Sequence, residues 1–349
     1  MVVIGIDSHK GTHTAVAADP NGRKLGEKTA RATSAGHLEL VRWAARFGER
    51  RFAVEDCRHL SRRLSSDLLL AGAAVVRVPP KLMAGVRRSS REPGKSDPID
   101  ALAVARAALR EPDLPVATLD GEEREVRLLL DHREDLVAER TRAENRLRWH
   151  LHELDPGTEP PSRSLGRRVV LDTLERDLAG RPGTVARIAR ELVRHIRELS
   201  ATIDDLEREI ARLVADLAPS LLALEGCGPL TAAKLVGETA GVGRFRSAAA
   251  FARYNGSAPL EVWSGNAERH RLSRTGNRQV NLALHRIAIT QVRLGGQGKA
   301  YVKHRRELGD TKTEAIRALR RRISDEVFRR MRADETRRAA VTPIAAAAA

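Results

Sequence analysis

The chain of 349 residues is 42% hydrophobic and carries a formal net charge of +16 at pH 7, with a pI near 10.8. That length and apolar content allow two or three domains with packed cores and exclude a wholly disordered chain. The excess of 62 Lys and Arg over 46 Asp and Glu is the footprint of a protein that neutralises phosphates, with a membrane surface or a merely basic composition as the alternatives. The two cysteines, Cys57 and Cys227, offer neither a disulfide framework nor zinc-ligand spacing. No apolar run reaches the ~18 residues that a membrane span needs, and the N-terminus lacks the pattern of a signal peptide. A cytoplasmic protein without membrane contact is expected.

Residues 1–30 read as three strands, VVIGID, THTAVAAD and RKLGEKTA, the last two joined by the turn residues Asp19-Pro20-Asn21-Gly22. Ser34 then caps a helix reaching Phe47, FAVE forms a fourth strand, HLSRRLSSDLLLAG a helix ended by Gly72, and AAVVRVP a fifth strand closed by Pro79-Pro80. The order βββαβαβ followed by a helix matches the α/β ribonuclease H-like architecture, in which the first and fourth strands are neighbours. The segment from Met83 to Lys95 is basic and turn-rich, a candidate phosphate-contacting loop through Arg87, Arg88, Arg91 and Lys95. The helix after it starts near Asp97-Pro98, where the macrodipole favours an acid.

Four carboxylates stand out in this frame. Asp7 and Glu55 each lie where a short apolar run meets polar residues, the C-terminal end of a buried strand, and Asp97 and Asp100 are spaced i,i+3 on one helix face. A capping role accounts for Asp97 alone but not for Asp100 one turn on. Crowded like charges repel, so four converging acids require a hard divalent cation such as Mg²⁺, which takes carboxylate oxygens and keeps positions open for phosphate. The chemistry implied is metal-assisted attack at a phosphodiester.

From Glu122 to Asp216 the chain is charged and helical, interrupted by a hinge near Asp155 to Gly166. Leu192, Ile196, Leu199, Ile203, Leu206, Ile210, Leu213 and Leu217 form the a/d seam of a coiled coil, whose partner is the earlier helix or a second subunit. Self-association is the favoured expectation. After Pro219, LLALEGCGPLTAAKLVGET reads as a helix-hairpin-helix, with Gly226 and Gly228 letting backbone N–H groups meet a phosphate, or as a plain αα-turn. An Arg/His-rich stretch ending in an apolar helix follows, and the low-complexity tail is expected to fray. The expected domains are 1–118 catalytic, 119–218 coiled-coil dimerisation arm, 219–335 mainly α with the helix-hairpin-helix, and 336–349 disordered.

GIDSHK, the Glu that ends strand four, KSDPIDA, ALEGCGPLTAAKLVGE and WSGNAERHRLSRTGNR together resemble the DEDD transposases of insertion sequences, relatives of the pilin-gene invertases, from Val3 to about Leu294. The resemblance implies a RuvC-like N-terminal domain with Asp7, Glu55, Asp97 and Asp100 as its acid tetrad. It also implies a C-terminal transposase domain with a nucleophilic serine in a Ser-Gly context, matched by Ser264 and Gly265. Ser273 in LSRTGNR is a competitor, and Arg269, Arg271 and Arg274 are candidate phosphate contacts. Two Mg²⁺ ions, replaceable by Mn²⁺, are the implied cofactors. The implied partners are donor and target DNA, a structured non-coding bridge RNA, and further copies of the chain, a dimer that becomes a tetramer in the synaptic complex. One departure is Asp56-Cys57-Arg58 after Glu55, where a small-residue turn is expected, which makes Asp56 a candidate partial substitute in metal binding, with Glu55 the preferred ligand.

Serine hydroxyls are poor nucleophiles until a base or metal activates them, so Ser264 and the acids must meet. The helical arm separates them in the chain, which points to a site composed from two subunits. Two rival readings remain: a RuvC-like junction-resolving endonuclease with water as nucleophile, and a non-catalytic RNA-binding protein whose acids cap and solvate.

Overall fold

The computed structural model describes residues 1–57, 60–80, 82–83, 96–111, 114, 116–117, 119, 121–264, 267–272 and 276–346, without the side chains of 158, 261–272 and 341–346. The chain divides into two compact units, Met1–Asp120 and Gly121–Ala349.

In the first unit the elements are β1 (Val2–Ser8), β2 (Thr12–Ala18), β3 (Lys24–Arg31), α1 (Ser34–Ala44), β4 (Arg50–Glu55), α2 (Arg62–Leu70), β5 (Val75–Val78) and α3 (Asp97–Arg110). They build a five-stranded sheet of order β3-β2-β1-β4-β5, antiparallel across β1, β2 and β3 and parallel across β1, β4 and β5. The expected adjacency of the first and fourth strands is therefore present, in a mixed sheet of ribonuclease H-like order. Both faces are covered, so β1 is buried throughout its apolar run. Ile4, Ile6, Phe52 and Val54 pack with Leu40, Leu64 and Leu68 of α1 and α2, while Val3, Val16 and Val76 pack with Ala101, Val104 and Ala105 of α3.

Gly5 sets the distance between α3 and β1. A Cβ at this position would stand 2.2 Å from the Ala101 carbonyl oxygen and 2.4 Å from the Ala105 nitrogen, so backbone meets backbone here. Helix α3 suits that approach because Ala101, Ala103, Ala105, Ala107 and Ala108 form most of its buried surface. On the opposite face of the sheet, His13 of β2 is 2% exposed and stacks on His37 with ring centroids 5.1 Å apart. His37 Nδ1 in turn donates to Asp67 Oδ2 at 2.6 Å.

The second unit contains α4 (Glu122–Leu154), α5 (Arg168–Ala179), α6 (Thr184–Leu217), α7 (Pro219–Leu222), α8 (Pro229–Thr239), α9 (Ala248–Asn255), β6 (Pro259–Ser264), β7 (Ala267–Leu272), α10 (Arg278–Leu294), α11 (Gly296–Glu307) and α12 (Lys312–Ala346). Helices α4 and α6 run antiparallel: Ala143, Leu147 and Leu151 share a core with Leu192, Val193 and Ile196, and Val126 and Leu130 share another with Ile210, Val214 and Leu217. The a/d seam is thus closed within the chain by α4. Its residues are not a free dimerisation surface, which corrects the expectation of self-association through the seam. The second of these cores continues into α8, α10 and α12, so arm and C-terminal region form one unit rather than two domains divided at 218. Helix α12 extends to Ala346, where a disordered tail was expected from 336; alanine-rich sequence favours the helix. The β6–β7 hairpin adds two strands to a region expected to be mainly α. Among the described residues, no helix is long and apolar enough to cross a membrane.

Replacing Gly5 by valine should force α3 off the sheet and destabilise the chain by about 1–3 kcal/mol or more, read as a lower urea midpoint; an unchanged midpoint would refute the close-contact account. Burial, reinforced by the positive charges of His37 and His9, holds His13 down at about 4. The unfolded chain therefore takes up this proton first, near pH 6.5, and stability falls as the pH drops from about 6.5 to 4, by about 3 kcal/mol in total. His13→Asn should flatten the slope of stability against pH across that window.

Candidate active site

Parallel pairing of Ile6 with Val54 makes Asp7 and Glu55 the ends of neighbouring strands. On β1 the residues Val3, Gly5 and Asp7 alternate toward α3, so Asp7 stands two positions beyond the Gly5 contact, near the N-terminal turn of that helix. Ser96 occupies the N-cap position, and Asp97 and Asp100 fall in the first turn of α3. Asp7 is 6% and Asp100 7% exposed, Glu55 is half-buried, and Asp97 is exposed. Burial raises the Asp7 carboxyl above the ordinary carboxylate range; the charges of Asp100 and Asp97 push the same way, and His9 opposes them.

His9 sits between two of the acids. Its Nε2 donates to Asp7 Oδ2 at 2.9 Å and lies 3.4 Å from Asp97 Oδ1, and one ligand atom from each of Asp7, His9 and Asp97 falls within 4.8 Å of the others. The fourth acid joins through Cys57, whose thiol is pushed up to about 11 by burial, by the charge and hydrogen bond of Glu55, and by the charge of Asp7. Asp56 continues the ladder beyond Glu55, its N–H donating to the Val78 carbonyl at 2.9 Å. Three of the four predicted acids thus act on one another directly, and the fourth shares a neighbour with them. Carboxylate oxygens of Asp7 and Asp97 with the His9 nitrogen beside them form a group that could hold a metal ion, and burial disfavours the charged form of Asp7.

Ser264 is the last residue of β6 and pairs with Ala267. The register sets Leu260 opposite Arg271 and Val262 opposite Arg269, so by the two-residue period these positions and Ser264 belong to one face of the ladder. Gly265, Ser273 and Arg274 lie outside the described residues, as do Arg87, Arg88, Arg91 and Lys95.

The hairpin is fastened at its neck. Gly276 crosses Gly256 so closely that a Cβ on Gly276 would stand 2.4 Å from the Gly256 nitrogen. Asn277 caps α10 through its Oδ1, while its Nδ2 donates to Glu238 Oε2 at 2.8 Å and Tyr254 Oη at 2.9 Å; Tyr254 Oη donates to the Glu238 carbonyl at 2.7 Å. On the other side, fully buried Asn255 donates to Ser324 Oγ, and Asn281 donates to the Asn255 carbonyl, each at 2.8 Å. Between α7 and α8, Gly226 takes a φ of +83°, and Gly228 precedes the first turn of α8 with open space around it. Cys227 between them is buried, which pushes its thiol up to about 12.

Sequence reasoning missed His9, although its place two residues after Asp7 sets it on the same side of an extended chain. It also missed the neck, because Glu238, Tyr254 and Asn277 are brought together only by tertiary packing.

Known proteins place these observations in a family. Residues 4–156 match the DEDD family of IS110 type, described as a transposase, and residues 218–303 match the transposase IS116/IS110/IS902 family. A 44.8 kDa protein of insertion element IS116 from Streptomyces clavuligerus is 28% identical over 94% of both chains. A 42 kDa protein of insertion element IS900 from Mycobacterium paratuberculosis is 26% identical over 98% of both, and the transposase of IS1328 from Yersinia enterocolitica is 26% identical over 76% of both. Among solved structures, T. thermophilus RuvC in complex with a Holliday junction matches with a TM-score of 0.25 and 20% identity, over 32% of this chain and 94% of that one. With family matches at both ends of the chain and relatives aligned along nearly all of it, this protein belongs to the DEDD-type transposases of insertion sequences.

Proposed function

We propose that this transposase cleaves and exchanges DNA strands with a divalent cation, Mg²⁺ or in its place Mn²⁺, and forms a covalent serine–DNA intermediate. The observation that carries the reading is the gathering of Asp7, Asp97 and Asp100 into one neighbourhood in which Asp7 is held above its ordinary pKa. His9 is the basic group seen beside Asp7 and Asp97.

Asp7, Glu55, Asp97 and Asp100 are the residues that would hold the metal, two ions in the fullest form. When bound, it supplies charge neutralisation at the scissile phosphate and at the oxygens entering and leaving phosphorus. The serine hydroxyl of Ser264, with its proton removed, attacks phosphorus; the departing DNA oxygen takes up a proton, leaving a phosphoserine and a free hydroxyl on the strand. That hydroxyl can attack a second phosphoserine linkage, so exchange conserves the number of phosphodiester bonds and needs no external energy source. Arg269 and Arg271, on the same face of the ladder as Ser264, are suited to neutralise the phosphate. Gly226 and Gly228 suit the backbone contact of a helix-hairpin-helix with DNA, since α8 presents its N-terminus beside an open glycine. A structured bridge RNA pairing donor and target, and a homo-oligomer that brings two DNA partners together, complete the proposal.

Ser264→Ala should abolish the covalent protein–DNA adduct and strand exchange while leaving binding of DNA intact. Continued strand cleavage by this variant, with no adduct formed by the wild type, would instead select the hydrolytic nuclease with water as nucleophile. Adding Mg²⁺ should raise the thermal midpoint of the wild type. Asp7→Asn removes a buried charge held against its neighbours, so the metal-free variant should be at least as stable as the wild type and should lose the Mg²⁺ response. An equal Mg²⁺ shift in both proteins would sink the metal assignment.

A further inference from the structure

Trp149 is the most exposed aromatic residue with a described side chain. It stands on α4 with 74% of its surface open, and no ring or cation contact involves it among the described residues. Leu147 and Leu151 on either side of it point into the arm's core, so Trp149 belongs to the outward face of a helix whose inward face is already filled. Residues three, four and seven positions away share that outward face: Arg142, Asn145, Arg146 and His152, all exposed. Neighbouring cations on α4 are occupied, Arg140 with Glu144 and Arg148 with Glu159 and the Pro160 carbonyl. Arg142 and Arg146 have neither ion pair nor hydrogen bond among the described residues. Glu153, the acid on this face, lies 3.9 Å from His150.

An exposed indole beside unpaired guanidinium groups has the parts of a stacking platform for an unpaired base, with cations for the adjoining phosphates. A second copy of the chain suits this face poorly. An isologous contact centred on Trp149 would gather two copies each of Arg142 and Arg146 into one patch, and like charges would be desolvated together. A membrane suits it no better, because a single aromatic among polar residues lacks the apolar stripe that inserts into lipid. Duplex DNA keeps its bases stacked inside the helix, out of reach of a ring on a convex helix face.

We infer that Trp149, flanked by Arg142 and Arg146, is a docking point for a single-stranded segment of RNA, one unpaired base stacking on the indole. The inference rests on the RNA-guided reading above and adds to it the place on the arm where the RNA is held. Because Trp149 is exposed, substitutions there leave the arm's core intact.

The test uses the full chain with Trp43→Phe and Trp263→Phe, so that Trp149 is the one tryptophan left. Titration with a single-stranded oligoadenylate should quench its fluorescence, and Trp149→Ala in the wild-type background should weaken RNA affinity tenfold or more while Trp149→Phe keeps most of it. Arg142→Ala should weaken binding and lower the slope of log affinity against log salt by about 1. Unquenched Trp149 at saturating RNA, unchanged affinity in Trp149→Ala, or tighter binding of the deoxy oligomer would overturn the inference. So would a loss of oligomer on sedimentation of Trp149→Ala with RNA affinity intact, which would assign the face to protein contact. RNA-dependent strand exchange by the wild type separates the two levels: if exchange needs the RNA but Trp149 stays unquenched, the docking point alone fails. If exchange proceeds equally without RNA, the guided reading fails, and the RNA's claim on Trp149 with it.

Discussion

The contact of α3 with β1 at Gly5 is the constraint on which the N-terminal unit turns. Asp7 and the pair Asp97 and Asp100 come from segments some ninety residues apart, and nothing local draws them together. Their separation is fixed by how near a helix can come to a strand, and the nearest approach occurs where neither element has a side chain larger than a methyl group. Gly5 supplies that on the strand and the alanines of α3 supply it on the helix. The packing buries Asp7 beside Asp100 and Asp97, and burial first, with those like charges adding to it, displaces the Asp7 pKa upward. Burial of apolar surface along α3 stabilises the arrangement, and electrostatics oppose it.

Much of this was legible in the chain because the N-terminal unit obeys strong local rules. Short β-branched runs, the Asn21-Gly22 turn and alternation between strand and helix give the element order, and the right-handed preference for parallel crossovers leaves few ways to arrange it. The two strand-end acids could be placed from that order alone. The C-terminal unit was less legible for two reasons. An a/d seam states that a partner exists without naming it, and α4, which carries too few apolar residues to announce itself as the partner, closes the seam with only five buried positions: Val126, Leu130, Ala143, Leu147 and Leu151. The β6–β7 hairpin is rich in Arg, His and Glu, and charged alternation reads as loop when propensity is judged by apolar content.

Charge acts at two ranges in this chain. Net positive charge draws polyanions to the chain over distances of roughly a Debye length, about 8 Å in physiological salt. The acids work at shorter range and under burial, where water screens them little. The two roles do not conflict, because a surface cation acts on the whole of a nucleic acid whereas Asp7 acts within a few ångströms. Paired arginines along the arm contribute little beyond local order. Arg142 and Arg146, which have no carboxylate partner among the described residues, are the ones a ligand could use.

Positioning Ser264, the proposed nucleophile, poses the opposite mechanical problem from holding the acids. A two-stranded ladder is marginal on its own in water, so β6 and β7 cannot fix the direction of Ser264 by their mutual hydrogen bonds. Direction has to be imposed at the base, and the base is where the polar groups are buried. Glu238, Tyr254 and Asn277 bind the outgoing strand, Asn255, Ser324 and Asn281 bind the incoming one, and Gly276 lets the two backbones cross without a side chain between them. A network of this kind gives little net stability relative to apolar packing of the same volume, but it has one geometry in which every donor is met. Its value lies in that uniqueness: Ser264 is the far end of β6, five residues beyond Pro259, so a small rotation at the neck would be multiplied there.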